Sequence, residues 1–489
     1  MEPLTRTLVH FSHALKFEDV SSDIVHQTKC LLLDYLGVTI AGTRTESAQA
    51  VCRMVLNDTY NLGPGPCTII GPTARSCPER AALANGTASH SIELDDTHQA
   101  GSIHLGVVMF SVAIALSEIH PEVDIKQFIT AVVADYEVAA RLAVALQPKL
   151  HYELGFHPTA TCGVFGAAVT AARILGLSEE QMLWSVGIAG SMAAGSLEFL
   201  SDGSWTKRLH PGLAAQNGIL AAKLAAEGFR GPASILEGRD GFLSAYSRDA
   251  KFHLVNQDLG MTYELLRIST KPHACCRYMQ APIDGLTELA ITNDLHPEQI
   301  SRVEIAVLEA GWPLVCEPRQ RKYSPSSIVD AQFSMPFAVA LALTYRPASL
   351  DQFGDGNLTS AQLQSLMSKV VMVKDQRIEK NFPAEWATHV KVQLTNGNEV
   401  EKVVRFPKGD TENPLSWQEL TAKCQSLAMR TFPPNRCQEI VDSVNDMDRF
   451  TSLSALWKLM AHPTAETARF VVPHRGSGLL TLLRFVIRF

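Results

Sequence analysis

The sequence predicts a mainly α fold, a large all-helical domain interrupted by a smaller α+β insert. Three observations predict it. Up to about residue 267, apolar residues recur at three- and four-residue spacing, the period of a helix with one buried face. After about residue 269 the pattern turns to alternation, with strands and short helices mixed. Beyond Pro407 the helical period returns.

Residues 1–20 mix Arg6 with Glu2, Glu18 and Asp19 and contain no apolar signal core, so they read as a first helix of the fold. Residues 24–41, 127–146 and 163–175 carry the helical period. Many of their residues, and those of 212–222, are Ala and Gly, which lets helix backbones approach closely. Leu177-Ser178 and Thr359-Ser360 look like N-caps. In the insert, residues 303–308 and 389–394 alternate like strands. The second run meets Asn396-Gly397 and then residues 400–406, a strong hairpin signal. Residues 331–342 and 360–371 read as helices, as do 416–429 and 436–444 after the insert. The expected division is 1–268 (helical), 269–411 (α+β), 412–462 (helical again) and an atypical tail, 463–489. That tail has no acid from Phe470 onward and is nearly all apolar from Leu479. A buried or variant chain end is favoured over a membrane-surface segment.

A chain of 489 residues exceeds what one core usually serves. Hydrophobic residues at 46% and charged residues at 19% describe a globular protein and not a disordered one. A net charge of −7 argues against a nucleic-acid partner. No apolar run is long enough to cross a bilayer, so no stable membrane insertion is expected. The ten cysteines are scattered without a C-x-x-C pair and read as reduced thiols. The expected location is cytoplasmic, with a mitochondrial one left open.

Four segments carry chemistry. The densest runs from Ser89 to His104 and holds Glu93, Asp95, Asp96, His90, His98 and His104 between apolar helices. Burying so many ionisable groups costs several kcal/mol unless they are paired or used. Neighbouring acids and imidazoles shift one another's pKa toward the range that acid–base catalysis needs. The alternatives are a divalent ion on His98, His104 and a carboxylate, or a structural network capping the next helix. The spacing matches no H-E-x-x-H motif. The second segment, Phe156-His157-Pro-Thr159, precedes a small-residue helix that Thr159 or Thr161 would cap. The third, residues 202–212, crowds Lys207, Arg208 and His210, a candidate carboxylate pocket. The fourth holds Lys271, His273, Cys275, Cys276, Arg277 and Tyr278 at the junction of the two patterns, a common place for a pocket. Together they give an acidic, histidine-rich segment and two cationic ones, suited to holding and deprotonating a small polycarboxylate.

These segments, with Asp330-Ala-Gln-Phe-Ser-Met-Pro, are similar in content and order to the motifs of the MmgE/PrpD family, and the resemblance runs to about Leu459. The family includes 2-methylcitrate and alkylcitrate dehydratases, cis-aconitate decarboxylases and iminodisuccinate epimerases. The resemblance implies a homodimer in which the α+β insert is a lid over a cleft free of metal and cofactor. By motif it implies site roles for Glu93, Asp95, Thr97, His104, His157, Lys207 and Lys271. His104, His157, Glu93, Asp95 and Thr97 form the expected catalytic set; Lys207, Lys271, Arg277, His210 and His273 are the expected substrate ligands. The Arg277-Tyr278 pair resembles the dehydratase branch more than the decarboxylases. The leading expectation is therefore a hydro-lyase dehydrating 2-methylcitrate or a related alkylcitrate. Decarboxylation of cis-aconitate to itaconate, epimerisation of an iminodisuccinate-type substrate, and a non-enzymatic binding protein are the alternatives.

Overall fold

A computed structural model describes residues 3–461 apart from 63, 64, 73, 347 and 451, so the expected tail 463–489 lies outside the described residues. The fold is mainly α, as the periodicity predicts. Helices Ser22–Gly42, Gly106–Ile119, Ile125–Ala145, Gly163–Ile174, Glu179–Ala189 and Thr206–Ala226 share one apolar cluster, which Trp417–Ala428 and Pro434–Asn445 rejoin. Ser178 caps its helix as expected, its hydroxyl accepting the Gln181 N–H while the Gln181 side chain returns to the Ser178 N–H.

Close approach of backbones places the third segment. Thr206–Ala226 lies against Pro78–Ser89, and a Cβ on Gly86 would stand 2.8 Å from the Gly212 Cα. Neither position tolerates a side chain, so the start of the longer helix, with Lys207, Arg208 and His210, is pinned beside the end of the shorter one.

A second apolar cluster gathers residues 274–392, joined by Val38, Ala41, Ile92, Leu94 and Leu427. Its sheet runs Val370–Val373, Ile300–Ala306, Thr388–Leu394, Glu399–Val404. The last three strands are antiparallel, and Gly397 turns the hairpin at φ +88°. Helix Gln280–Thr292 covers the sheet, and its Gly285 comes so close that a Cβ there would meet the Val404 and Val390 methyls at 3.0 and 3.1 Å. One expectation needs correction. The helix expected over 360–371 ends at Ser368, and Val370–Val373 becomes an edge strand parallel to Ile300–Ala306. The run of β-branched residues there suits a pleated surface better than a helix. The helix expected over 331–342 is likewise two, Ile328–Gln332 and Met335–Tyr345, with Ser334 capping the second. Among the described residues no helix is long and apolar enough to cross a membrane.

Candidate active site

Helix Pro78–Ser89 ends at His90, and the chain then loops through residues 91–105 before helix Gly106–Ile119. Three tethers fix this loop. Thr97–His98 pairs with Ile268–Ser269, which brings Lys271 beneath it. The Gln332 amide donates to the carbonyls of Ile92 (3.1 Å) and Ala274 (3.2 Å), joining the loop to the fourth segment. Lys423 donates to the Leu94 carbonyl (2.8 Å) and to Asp34 (2.6 Å). Glu93 sits at φ +56°, a left-handed conformation that costs a non-glycine residue roughly 1 kcal/mol. Its carboxylate gains two cations in exchange: Lys207 donates to Oε1, and the Lys271 ammonium stands 3.6 Å from Oε2.

The polar cluster divides into structural and reactive members. Asp96 accepts the Gly106 N–H (3.0 Å) and the Tyr136 hydroxyl (2.7 Å), so it holds the start of the following helix. Burial, ahead of the neighbouring Asp95 charge, pushes its pKa up to about 7. His98 is held by Glu264 (2.9 Å) and accepts the Gly101 N–H (3.1 Å), a structural position. The expected cap at Thr159 or Thr161 is a correction. Thr159 instead accepts the His104 N–H (3.1 Å) and Thr161 bonds His151 (2.9 Å), while Cys162 precedes the helix without a side-chain cap.

Asp95 is the hub of the reactive part. Its Oδ2 lies 2.8 Å from His90 Nδ1 and 3.0 Å from His104 Nδ1. His104 Nδ1 also meets the Asp96 carbonyl at 2.7 Å. A carbonyl only accepts, so in neutral His104 the proton sits on Nδ1 and Nε2 keeps its lone pair. His90 has the same tautomer through Asp95. The Lys271 ammonium lies 3.6 Å from Asp95 Oδ1, is 1% exposed, and makes no hydrogen bond.

Burial dominates the electrostatics. It lowers His90 to about 4, against the pull of Asp95. It also lowers His104, and it lowers His157 well below the usual range with help from His210 and Lys207. Burial would raise Glu93, yet Lys207 and Lys271 outweigh it and hold the carboxyl at about 2. Asp95 is likewise held well down, burial being overcome by His90, Lys271 and His104. At neutral pH the site therefore holds neutral imidazoles and ionised Glu93 and Asp95.

Of the sequence-predicted residues, Glu93, Thr97, His104, His157, Lys207 and Arg277 line one cavity of about 40 Å³, with Leu197, Phe199, Leu314 and Phe333 as its apolar wall. Asp95 and Lys271 lie behind this lining. His210 also lies outside it: its Nδ1 touches His157 Nδ1 at 3.1 Å, from the side facing away. His273 is turned elsewhere, bonded to Asp284 (2.8 Å) and the Ala348 carbonyl (3.3 Å). Arg277 donates to buried Asp410, and burial lowers its pKa to about 10. The sequence reading missed the Asp95 contact of His90. It also missed Tyr152, whose hydroxyl bonds Ser102 (2.7 Å) at the cavity's edge. The five-residue spacing from His90 to Asp95 could have suggested the first; no local signal marks Tyr152.

One ring nitrogen from each of His90, His104 and His157 lies within 4.8 Å of the others, a donor set suited to a transition-metal ion. The Lys207 and Lys271 ammonium groups beside them oppose a cation electrostatically, so the trio is read as handling protons.

The sequence matches the MmgE/PrpD N-terminal domain over residues 6–255 and the MmgE/PrpD C-terminal domain over residues 273–448. Among curated proteins it is 27% identical over 484 residues to the cis-aconitate decarboxylase-like protein oryM of Aspergillus oryzae, covering 94% of this chain and 97% of that one. It is 25% identical over 489 residues to a cis-aconitate decarboxylase of Aspergillus terreus (94% and 96%). It is 24% identical over 481 residues to the cis-aconitate decarboxylase of Mus musculus (95% of each).

Proposed function

The chain belongs to the MmgE/PrpD family, and from that premise we propose that it is a lyase that decarboxylates cis-aconitate or a close unsaturated tricarboxylate. The full-length likeness to decarboxylases supports this reading over the dehydration expected from the sequence. Its carrying observation is the lining of the small cavity, where Lys207 and Arg277 stand with His104 and His157 among the apolar side chains of Leu197, Phe199, Leu314 and Phe333.

In cis-aconitate the methylene carboxylate is β,γ to a double bond. Its C–C bond breaks, carbon dioxide leaves, and the electron pair moves into a new terminal C=C. The carbon at the far end of the former double bond then takes a proton, so one proton is consumed and itaconate is formed. Lys207 binds a retained carboxylate next to the developing negative charge, with Arg277 also in the lining. The leaving carboxylate meets the apolar side chains of Leu197, Phe199 and Leu314, a setting that favours its loss as a neutral gas, while the Lys207 ammonium, 5.2 Å over the Phe333 ring, takes a retained one. His104 and His90 have Nδ1 protonated and Nε2 bare, so His157, with its tautomer free, is the proton donor. Asp95 holds His104, and Lys271 neutralises the Glu93–Asp95 pair from behind.

A cavity of about 40 Å³ holds roughly one water's worth of volume and not a tricarboxylate. Its walls come from residues 93–207 on one side and 276–333 on the other. Substrate entry parts them, which gives residues 269–411 the role of a lid.

Dehydration of a citrate-type acid is the second reading, and one observation favours it. It needs a base as well as an acid, and His104 is present in base form beside His157. Incubating the purified protein with cis-aconitate, 2-methylcitrate and a longer alkylcitrate, with products identified by mass, separates the readings. Carbon dioxide loss from the first supports decarboxylation; water loss from the others with cis-aconitate unchanged overturns it.

A further inference from the structure

We propose that His210 is a positioning residue that carries the consumed proton to His157 from a second cavity. This rests on the decarboxylase reading, because that reaction takes up one proton per turnover.

The inner cavity cannot supply that proton from water. At about 40 Å³ it is filled once substrate is bound, and His157 is 3% exposed. Behind His157 lies a much larger space of about 470 Å³. His210 lines this outer cavity, as do the exposed Glu198, Asp202 and Thr206, so bulk water reaches it. The imidazole pair, with the Phe199 ring that lines both spaces, stands between them: His157 faces the inner cavity and His210 the outer, with Nδ1 to Nδ1 at 3.1 Å.

The backbone fixes this contact from both sides. The His157 N–H donates to the Gly195 carbonyl (2.9 Å), which holds it at the edge of the outer cavity. His210 sits in the first turn and a half of Thr206–Ala226, with the Phe199 ring edge-on to it at 6.4 Å. Two ring nitrogens at hydrogen-bond distance require one to donate and the other to accept, so a proton already lies between them.

The step balances simply. Water in the outer cavity gives a proton to His210 Nε2 and leaves hydroxide, which the bulk solvent takes up; the proton on His210 Nδ1 crosses to His157 Nδ1, and His157 Nε2–H protonates the substrate carbanion. Both rings then hold the opposite tautomer; once the cleft opens and product leaves, solvent there reprotonates His157 Nε2, the Nδ1 proton returns to His210 Nδ1, and His210 Nε2–H gives its proton back to the outer water. His210 does not itself line the inner cavity; it meets that lining through His157 and the Phe199 ring.

The test compares wild type, His210→Ala and His210→Gln for carbon dioxide release from cis-aconitate, with and without added imidazole. Gln keeps a hydrogen bond to His157 but cannot pass a proton on. The proposal expects kcat to fall about 100-fold in both variants with KM little changed. Imidazole, which fits the outer cavity, should raise the His210→Ala rate severalfold and leave His210→Gln, where the space is filled, unaffected. A His210→Gln enzyme at the wild-type rate, or a slow His210→Ala enzyme that imidazole does not rescue, overturns the relay. Wild type that releases no carbon dioxide overturns the decarboxylase reading instead, so the two failures are distinguishable.

Discussion

Asp95 Oδ2 lies 3.0 Å from His104 Nδ1, and the same oxygen lies 2.8 Å from His90 Nδ1. One buried carboxylate thus sets the tautomer of two imidazoles, each left with a bare Nε2. Asp95→Asn keeps the shape but presents an amide that can also donate, so His90 loses its fixed tautomer and His104 its carboxylate partner, although the Asp96 carbonyl still holds the His104 proton on Nδ1. It should lower kcat by about 10²-fold or more with a smaller change in KM. Steady-state kinetics on the folded variant check this; an unchanged kcat would remove Asp95 from the mechanism.

The two lysines should separate kinetically. Lys207 lines the cavity and Lys271 lies behind Glu93 and Asp95. Lys207→Ala should mainly raise KM, by about tenfold or more, as expected for a lost carboxylate anchor. Lys271→Met should leave buried Asp95 without its ammonium and Glu93 with Lys207 alone, and cost about 3 kcal/mol or more of stability. Kinetics and denaturant unfolding of both variants read the difference. Equal KM effects with no stability loss would contradict the placement.

Stability should carry the signature of the buried imidazoles. His90 titrates at about 4 in the folded chain, below its ordinary 6.5. The unfolded chain therefore takes up its proton first, and the contribution of neutral His90 is present above pH 6.5 and lost as pH falls toward 4. His90→Gln removes this dependence. The stability gap between wild type and variant should shrink by up to roughly 3 kcal/mol across that window. Urea unfolding at several pH values measures it, and a constant gap would contradict burial of a neutral His90.

Treatment with a chelator should leave turnover unchanged, because the Lys207 and Lys271 ammonium groups stand beside the three imidazoles. Lost activity that returns on adding a divalent transition metal would give His90, His104 and His157 a ligating role in place of the proton-handling one.

Much of this was legible in the sequence, and the parts that were not share a cause. Amphipathic periods located the helices of residues 24–41 and 127–146, and Asn396-Gly397 located the hairpin, because these signals are local. The helix expected over 360–371 ended early because the parallel partner of Val370, Val303, lies 67 residues away in the chain. The ionisable segment 89–104 was visible as a cluster, but its division was not. Asp96 and His98 became structural through Tyr136 and Glu264, partners with no sequence proximity. His210 belonged to a cationic run, yet tertiary packing turned it toward His157 and away from the inner cavity. Arg277 likewise found Asp410, 133 positions on.

The most direct measurement runs the wild-type reaction in D2O with cis-aconitate carbon-labelled at the methylene carboxylate, and follows gas and product by mass and NMR. The account predicts labelled carbon dioxide and itaconate carrying one deuterium, on the saturated carbon next to a carboxylate. Unchanged cis-aconitate, together with water loss from 2-methylcitrate by the same preparation, would contradict it.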